Sequence, residues 1–285
     1  MRKFIVNADD FGLHEEINKG IIYGYQNGII TSTSLMCSAP AFSDAVALAK
    51  ANDGLGIGIH LTLVGGVKTV LPQEKLATLV DADGRLPADY ISFSKKFYTG
   101  GIRLAEIEAE LRAQIERALT SSVNVTHIDS HQHTHVLPGI GALVLKLCSE
   151  YNIKKVRVPG ENIFFKGGFN AGAFRHIGRC GLTACAYVFS LQAQKFGCLF
   201  PRHFFGMLAG GNLNTELVGR IIASIPDGVS ELMIHPGMGQ SVLQKEFSWG
   251  YNWGNELQAC LAMLNKDLLA QRGIKMINFG DIADE

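Results

Sequence analysis

Short β-rich runs alternate with longer helical stretches along almost the whole chain of 285 residues. Such alternation predicts βα units, in which the strands pair in parallel and the helices cover the sheet. Strands are predicted at Lys3–Ala8, Thr31–Cys37, Leu55–His60, Val125–Asp129, Lys155–Val158, Val229–His235 and Lys275–Phe279. Helical periodicity is found at His14–Asn27, Phe42–Ala51, Leu104–Leu119, Gly139–Tyr151, Thr215–Ile225 and Glu256–Arg272. About seven strands in this order favour one domain over residues 1–285, an α/β fold of the distorted (β/α) barrel type.

The composition excludes several classes of protein. Apolar residues make up 47% of the chain, and 26 basic residues balance 26 acidic ones, which excludes a disordered chain and argues against a nucleic-acid partner. No apolar run reaches the roughly 18 residues of a spanning helix, and no signal region is visible at the N-terminus. Six scattered cysteines are typical of a reducing compartment. The expected location is the cytoplasm, where the protein could also contact the inner face of the membrane peripherally.

Polar residues follow the predicted strands at the point where each strand ends. In a (β/α) barrel these ends meet at one rim, where function is located. The residues at these positions are Asp9, Asp10, His60, His127, Asp129, His131, Arg157 and His235. Their convergence on one rim indicates an active site more strongly than any single motif.

The segment THIDSHQHTH is the most informative motif. It places four of the nine histidines of the chain within nine residues, together with one aspartate: His127, Asp129, His131, His133 and His135. Imidazoles beside a carboxylate suit a divalent metal ion. The alternative is a histidine-rich surface loop without a ligand.

The other rim residues each allow a functional and a structural interpretation. Asp9 and Asp10 divide metal binding and proton transfer between them, or they form a turn or helix N-terminus. His60 is a metal ligand or a hydrogen-bonded core residue. His235 is a general acid or part of a structural turn. Arg157 orients a carboxylate or forms a surface salt bridge.

Six motifs in order, NADDFG, TSTSLM, GIHLTL, THIDSHQH, VRVP and ELMIHPG, resemble those of the YdjC/ChbG-type carbohydrate deacetylases. They run from Asn7 to Gly237 and so span most of the chain. The resemblance implies a distorted (β/α) barrel related to the NodB-type polysaccharide deacetylases. It also implies hydrolysis of N-acetyl groups on amino sugars with one divalent metal ion, Mg²⁺ or Zn²⁺.

The resemblance also implies roles for individual residues. Asp10, His60 and His131 match the metal ligands, and Asp9 matches the base. By analogy with the NodB-type enzymes, His235 is the general acid and Arg157 is the partner of Asp9. Residues expected to support a ligand or contact the substrate are Asp129, His133 and His127.

Residues 162–215 form a Phe-rich basic insertion. They contain nine of the sixteen phenylalanines and no acidic residue, and their five cations are Lys166, Arg175, Arg179, Lys195 and Arg202. This composition suits contact with an anionic membrane surface, or else a helical excursion whose phenylalanines form core. With the chain length and HFFG at His203–Gly206, the insertion looks most like the HpnK branch, associated with hopanoid biosynthesis. That likeness implies an N-acetylglucosaminyl hopanoid as substrate. The sequence does not determine the oligomeric state, and a homo-oligomer is one of the states it allows.

Two other functions compete with deacetylation. A barrel metallohydrolase acting on phosphoesters is expected to use several cations or a second metal, whereas the predicted rim offers mainly Arg157. A non-catalytic sugar- or lipid-binding protein is expected to have lost Asp9, Asp10 or His235, and all three are present.

Overall fold

The computed structural model describes residues 1–165, 169–263 and 266–283. Within these ranges the strands are β1 Arg2–Phe11, β2 Ser32–Leu35, β3 Gly56–Leu61, β4 Val125–Ser130, β5 His203–Phe205, β6 Gly228–Ile234 and β7 Ile274–Met276. The α-helices are α1 Glu15–Asn27, α2 Phe42–Lys50, α3 Tyr90–Tyr98, α4 Leu104–Thr120, α5 Ile140–Glu150, α6 Ala173–Lys195, α7 Thr215–Ser224, α8 Gln240–Glu246, α9 Trp253–Ala262 and α10 Lys266–Gln271.

The strands form one parallel sheet in the order β4-β3-β2-β1-β6-β5, with β7 beside the start of β1. The chain between β4 and α6 connects the two edge strands through single bridges, from Val156 to β4 and from Glu161 to β5. The sheet therefore curls into a barrel that is closed only by isolated bridges. This confirms the predicted distorted (β/α) barrel.

Two predicted strands differ from the structure. Lys155–Val158 forms only isolated bridges, from Val156 to Ile128 and from Lys155 to Leu199, and Pro159, which has no N–H, prevents its extension. The last strand ends at Met276 rather than Phe279. A helical turn over Phe279–Asp281 follows, and reciprocal hydrogen bonds between Asn278 and Asp281 fix its start.

The helix predicted over Glu256–Arg272 is two helices, α9 and α10, and Leu264 and Asn265 between them lie outside the described residues. No bounds were predicted for α3, α6, α8 and β5. Helix α6 has 23 residues and lies in the segment for which a helical excursion was one of two interpretations, but its bounds could not be predicted because apolar residues occur on both its buried and its exposed sides. Its sequence therefore lacks the single apolar stripe that identifies a surface helix.

The bottom of the barrel is closed by a small apolar cluster of Ile5, Val229, Ile277, Phe279 and Ile282. The ring of His127 stacks on that of Phe279 at 3.7 Å. Gly58 of β3 faces the same imidazole, and a Cβ at this position would lie 2.4 Å from its atoms. The polar residues above this layer therefore rest on a tightly packed base.

Gly58→Ala is expected to lower the free energy of unfolding by about 1–3 kcal/mol, because the added methyl group overpacks this base. Chemical denaturation measures the difference. Gly181→Ala in α6 is the matched control, since a Cβ there meets nothing within 4 Å and alanine favours a helix. Equal stability of Gly58→Ala and wild type would contradict the packing described here.

The described helices include none with both the length and the hydropathy that crossing a membrane requires. All six cysteines are unpaired.

Candidate metal centre and active site

An irregularity in β1 brings two neighbouring aspartates to the rim. The register with β2 shifts between Ala8 and Phe11, and Asp10 has a left-handed backbone with a φ of 69°. Consecutive side chains of a regular strand point to opposite faces, and a bulge re-aims one of them. Asp9 thereby reaches Arg157, and Asp10 reaches His131.

Asp10, His60 and His131 form a buried cluster from the ends of β1, β3 and β4. One ligand atom from each residue lies within 4.8 Å of the other two. Oδ1 of Asp10 lies 2.9 Å from Nδ1 of His131 and 3.5 Å from Nε2 of His60. No member of the cluster is more than 5% exposed.

Two atoms of this cluster lack a partner. Oδ2 of Asp10 and Nε2 of His131 are buried without a hydrogen bond. A buried polar atom without a partner costs free energy, so such atoms are rare in folded proteins. A divalent cation held by these three residues would remove that cost, and a carboxylate with two imidazoles is a suitable donor set. The residues present therefore fit a metal ion.

Asp129 fixes the orientation of His60. Its Oδ1 lies 2.7 Å from Nδ1 of His60, which leaves Nε2 directed at the cluster. Burial lowers the pKa of His60, but the charges of Asp129 and Asp9 outweigh it and raise this pKa to about 10. The site thus attracts positive charge, which a bound metal ion supplies in place of the proton. Ser34 donates to the other oxygen of Asp129 at 2.7 Å.

Arg157 is fully buried among three carboxylates. Its two terminal nitrogens donate to both oxygens of Asp9 at 2.7 Å. Nη1 also lies 2.7 Å from Asp129, and Nε donates to Glu231 at 2.7 Å. Burial lowers the pKa of Arg157, but the three carboxylates raise it well above its ordinary value. The bidentate pair holds the carboxylate of Asp9 in a fixed orientation.

His235 directly follows β6, which pairs with β1. Its backbone N–H donates to Glu256 of α9, and its Nδ1 lies 3.7 Å from the same carboxylate oxygen. Burial lowers the pKa of His235, but Glu256 outweighs it, so the pKa is raised. The side chain is therefore suited to carry and donate a proton near neutral pH.

A cavity of about 400 Å³ opens above these residues. Its wall combines polar groups with aromatic rings and includes Asp9, His131, His133, His235, Trp249 and Tyr251. The ring of Trp249 lies 5.4 Å from that of His131, and the ring of Tyr251 lies 4.9 Å from that of His235. An apolar cavity with a few convergent polar groups is typical of a small-molecule site.

The histidines of THIDSHQHTH separate into three environments, and all four are buried, so the surface-loop alternative is wrong. His131 belongs to the cluster with Asp10, and His133 lines the cavity. His127 and His135 are not among the residues lining the cavity. His127 contacts Thr126 and the base of the barrel, and burial lowers its pKa to about 3. Nε2 of His135 contacts the carbonyl of Arg157 at 3.0 Å.

Two further structural alternatives are wrong. Arg157 forms no surface salt bridge, because its side chain is fully buried. Asp9 and Asp10 are part of β1 and not of a helix N-terminus, although the carbonyl of Asp10 accepts from the N–H of Leu13 in the turn that follows.

Sequence reasoning missed Glu231 and Glu256. Glu231 was visible as an acidic residue inside an apolar run, and Glu256 as the first residue of a predicted helix.

The sequence profile described as "YdjC-like protein" matches residues 3–271. A carbohydrate deacetylase of Clostridium beijerinckii is 31% identical over 285 residues, covering 98% of this chain and 100% of its own. One of Listeria monocytogenes serotype 4b is 38% identical over 280 residues, covering 98% and 100%. A solved protein of Enterococcus faecalis V583, named for cellobiose-phosphate cleavage, has a TM-score of 0.79 at 24% identity and covers 99% of both chains. This last likeness concerns the fold.

Proposed function

This chain belongs to the YdjC-like protein family, and from that premise we propose that it removes the N-acetyl group from an N-acetylated amino sugar in a metal-dependent hydrolysis. The observation that carries the proposal is the buried cluster of Asp10, His60 and His131 beside the cavity. Relatives covered over their full length are named carbohydrate deacetylases, which supports the same substrate class.

Asp10, His60 and His131 would hold the metal ion. When bound, a divalent ion supplies a Lewis acid and an activated water at this position. Asp9 lines the cavity and lies 3.9 Å from Nε2 of His60, so it is placed to accept a proton from the attacking water. Arg157 donates to both oxygens of Asp9 and so fixes the carboxylate in position for this role.

His235 supplies the proton that the reaction needs at its end. An amide nitrogen leaves poorly unless it is protonated, so cleavage of the C–N bond requires an acid on the leaving-group side. His235 lines the cavity with a raised pKa and transfers its proton to the departing amine. The products are acetate and the free amino sugar, and the proton taken by Asp9 balances the one given by His235.

The donor set favours Zn²⁺ over Mg²⁺, because imidazole suits zinc whereas magnesium prefers oxygen ligands. One ion per chain is proposed.

We also propose which kind of N-acetylated sugar the enzyme acts on. A glycolipid such as an N-acetylglucosaminyl hopanoid, as in the HpnK branch, is supported by helix α6 of the insertion, which forms one wall of the cavity. Residues 1–285 would then act as one deacetylase domain in the cytoplasm, with residues 162–215 as an insertion in peripheral contact with the membrane. Lys166, one of its predicted cations, lies outside the described residues.

The competing functions have less support. The guanidinium of Arg157 is engaged by Asp9, Asp129 and Glu231, so its charge is already balanced and poorly available to a phosphate. Two more arginines, Arg175 and Arg179, line the cavity, but each donates to backbone carbonyls. A non-catalytic binding protein has no need of a polar network buried to this degree.

The test is acetate release from N-acetylated sugars before and after removal of the metal by a chelator. We expect removal to lower kcat by at least about a thousandfold, since the ion contributes several kcal/mol to the transition state. Zn²⁺ should restore the rate, and circular dichroism should confirm that the metal-free protein stays folded. Full activity in protein shown to be metal-free would refute metal dependence. Failure to release acetate from any N-acetylated amino sugar would refute the proposed reaction.

A further inference from the structure

Two neighbouring helices carry large apolar side chains that are exposed. On α6, Phe174, Ile177, Tyr187 and Leu191 are 72%, 70%, 66% and 44% exposed. On α3, Ile91 and Tyr98 are 47% and 54% exposed. We call these six residues the α3/α6 patch. Scattered exposed apolar residues are ordinary, but a contiguous group of this kind marks an interaction surface.

The patch is continuous with the mouth of the cavity. A Cβ on Gly178 of α6 would lie 3.1 Å from the hydroxyl of Tyr90, the first residue of α3, so the side chain of Tyr90 reaches α6 there. Ile91 and Phe174 belong to the patch and also line the cavity that contains Asp9. A partner covering the patch therefore lies beside the entrance to the site.

Helix α6 is apolar on its exposed side as well as on its buried side. Ala186, Phe189 and Ala193 already pack into the core. The exposed residues Phe174, Ile177, Gly181, Ala184, Tyr187 and Leu191 recur every three or four positions along a helix of 23 residues, about 34 Å in length. A helix with this pattern has a second apolar surface that the rest of the described chain does not cover.

The charge around the patch favours an anionic partner. Neither α3 nor α6 contains an acidic residue, whereas both carry exposed cations, Lys95 and Lys96 on α3 and Arg175 and Lys195 on α6. A symmetric contact between two copies of this surface would place these like charges in one interface. An anionic lipid surface instead offers a countercharge to each cation and an apolar interior to the aromatic side chains.

We propose that the α3/α6 patch docks on an anionic lipid bilayer, with the mouth of the cavity turned towards the membrane. The reaction of the docked enzyme, deacetylation of a sugar presented at the bilayer, rests on the proposed function. The docking itself needs no catalysis, so lipid binding and acetate release are measured separately.

The experiment is co-sedimentation of the full-length protein with vesicles of phosphatidylcholine alone and with vesicles containing phosphatidylglycerol. Wild type should bind the anionic vesicles, and binding should weaken at high salt. Ile177→Ser/Leu191→Ser should weaken binding by about tenfold, equivalent to about 1.4 kcal/mol. The matched control is Leu104→Ser/Leu119→Ser on α4, whose side chains are 45% and 40% exposed. This control should bind as wild type does.

Acetate release from a soluble N-acetylated sugar is measured on the same proteins. The α6 variant should keep wild-type activity there, because Ile177 and Leu191 are not among the residues lining the cavity. Failure of wild type to bind anionic vesicles, or equal binding by the α6 variant, would overturn docking and leave the proposed deacetylation intact. A dimer that the α6 variant abolishes would identify a second copy as the partner and likewise overturn lipid docking.

Discussion

Replacing His131 by alanine is expected to abolish the bound divalent ion and acetate release together. His131 contributes one of three ligand atoms that lie within 4.8 Å of one another. The two residues left, Asp10 and His60, offer too few ligands to hold an ion tightly against water. We expect kcat/KM to fall by at least about a thousandfold, because the Lewis acid and the activated water are lost together. Elemental analysis of the dialysed protein and an acetate assay measure the two effects.

Fold integrity separates this effect from general damage. His131→Ala leaves a cavity beside Trp249, so its thermal unfolding is compared with that of wild type. His203→Ala is the matched control, since this half-buried histidine of β5 is not part of the cluster. It should retain both metal and activity. Full metal stoichiometry in a folded His131→Ala protein would remove His131 from the ligand set.

Replacing His235 by alanine is expected to lower kcat by about a hundredfold to ten-thousandfold while the metal stays bound. His235 is absent from the metal cluster, and the carboxylate of Glu256 keeps its pKa raised. Its loss therefore removes the proton donor for the amine without removing a ligand. Steady-state kinetics on an N-acetylated sugar and elemental analysis of the same preparation measure the two quantities.

A substrate with a better leaving group tests more sharply whether His235 acts as the general acid. 4-Nitrophenyl acetate releases a phenolate that needs no proton, so His235→Ala should hydrolyse this ester nearly as fast as wild type. His131→Ala should be impaired on both substrates. A parallel loss on amide and ester would show that His235 acts other than as the proton donor, and unchanged kcat on the amide would remove it from catalysis.

The sequence alone was sufficient to predict which strand ends form the site. Parallel strands place their carboxyl ends at one edge, so each polar residue after a strand could be assigned to the same rim. His127, Asp129 and His131 alternate along β4 and its end, which directs them to one face at increasing height. Only His131 of these three reaches Asp10, and His127 lies at the apolar base. The height of a residue in the barrel depends on the stagger between strands, which no local pattern contains.

Other features depend on tertiary structure alone. The left-handed conformation of Asp10 is unfavourable for a residue with a side chain, and nothing in NADDFG distinguishes it from an ordinary turn. The roles of Glu231 and Glu256 became apparent only in the fold, which buries them against Arg157 and His235. Strand β5 has three residues, too few for a periodic signal.

The central claim is that Asp10, His60 and His131 share one divalent ion. Crystallography of the zinc-loaded protein, with anomalous diffraction on either side of the zinc absorption edge, tests it most directly. We predict one strong anomalous peak at about 2.0–2.2 Å from an oxygen of Asp10 and from one ring nitrogen of each histidine. A peak bound by other residues, or no peak in protein that retains zinc in solution, would contradict the account.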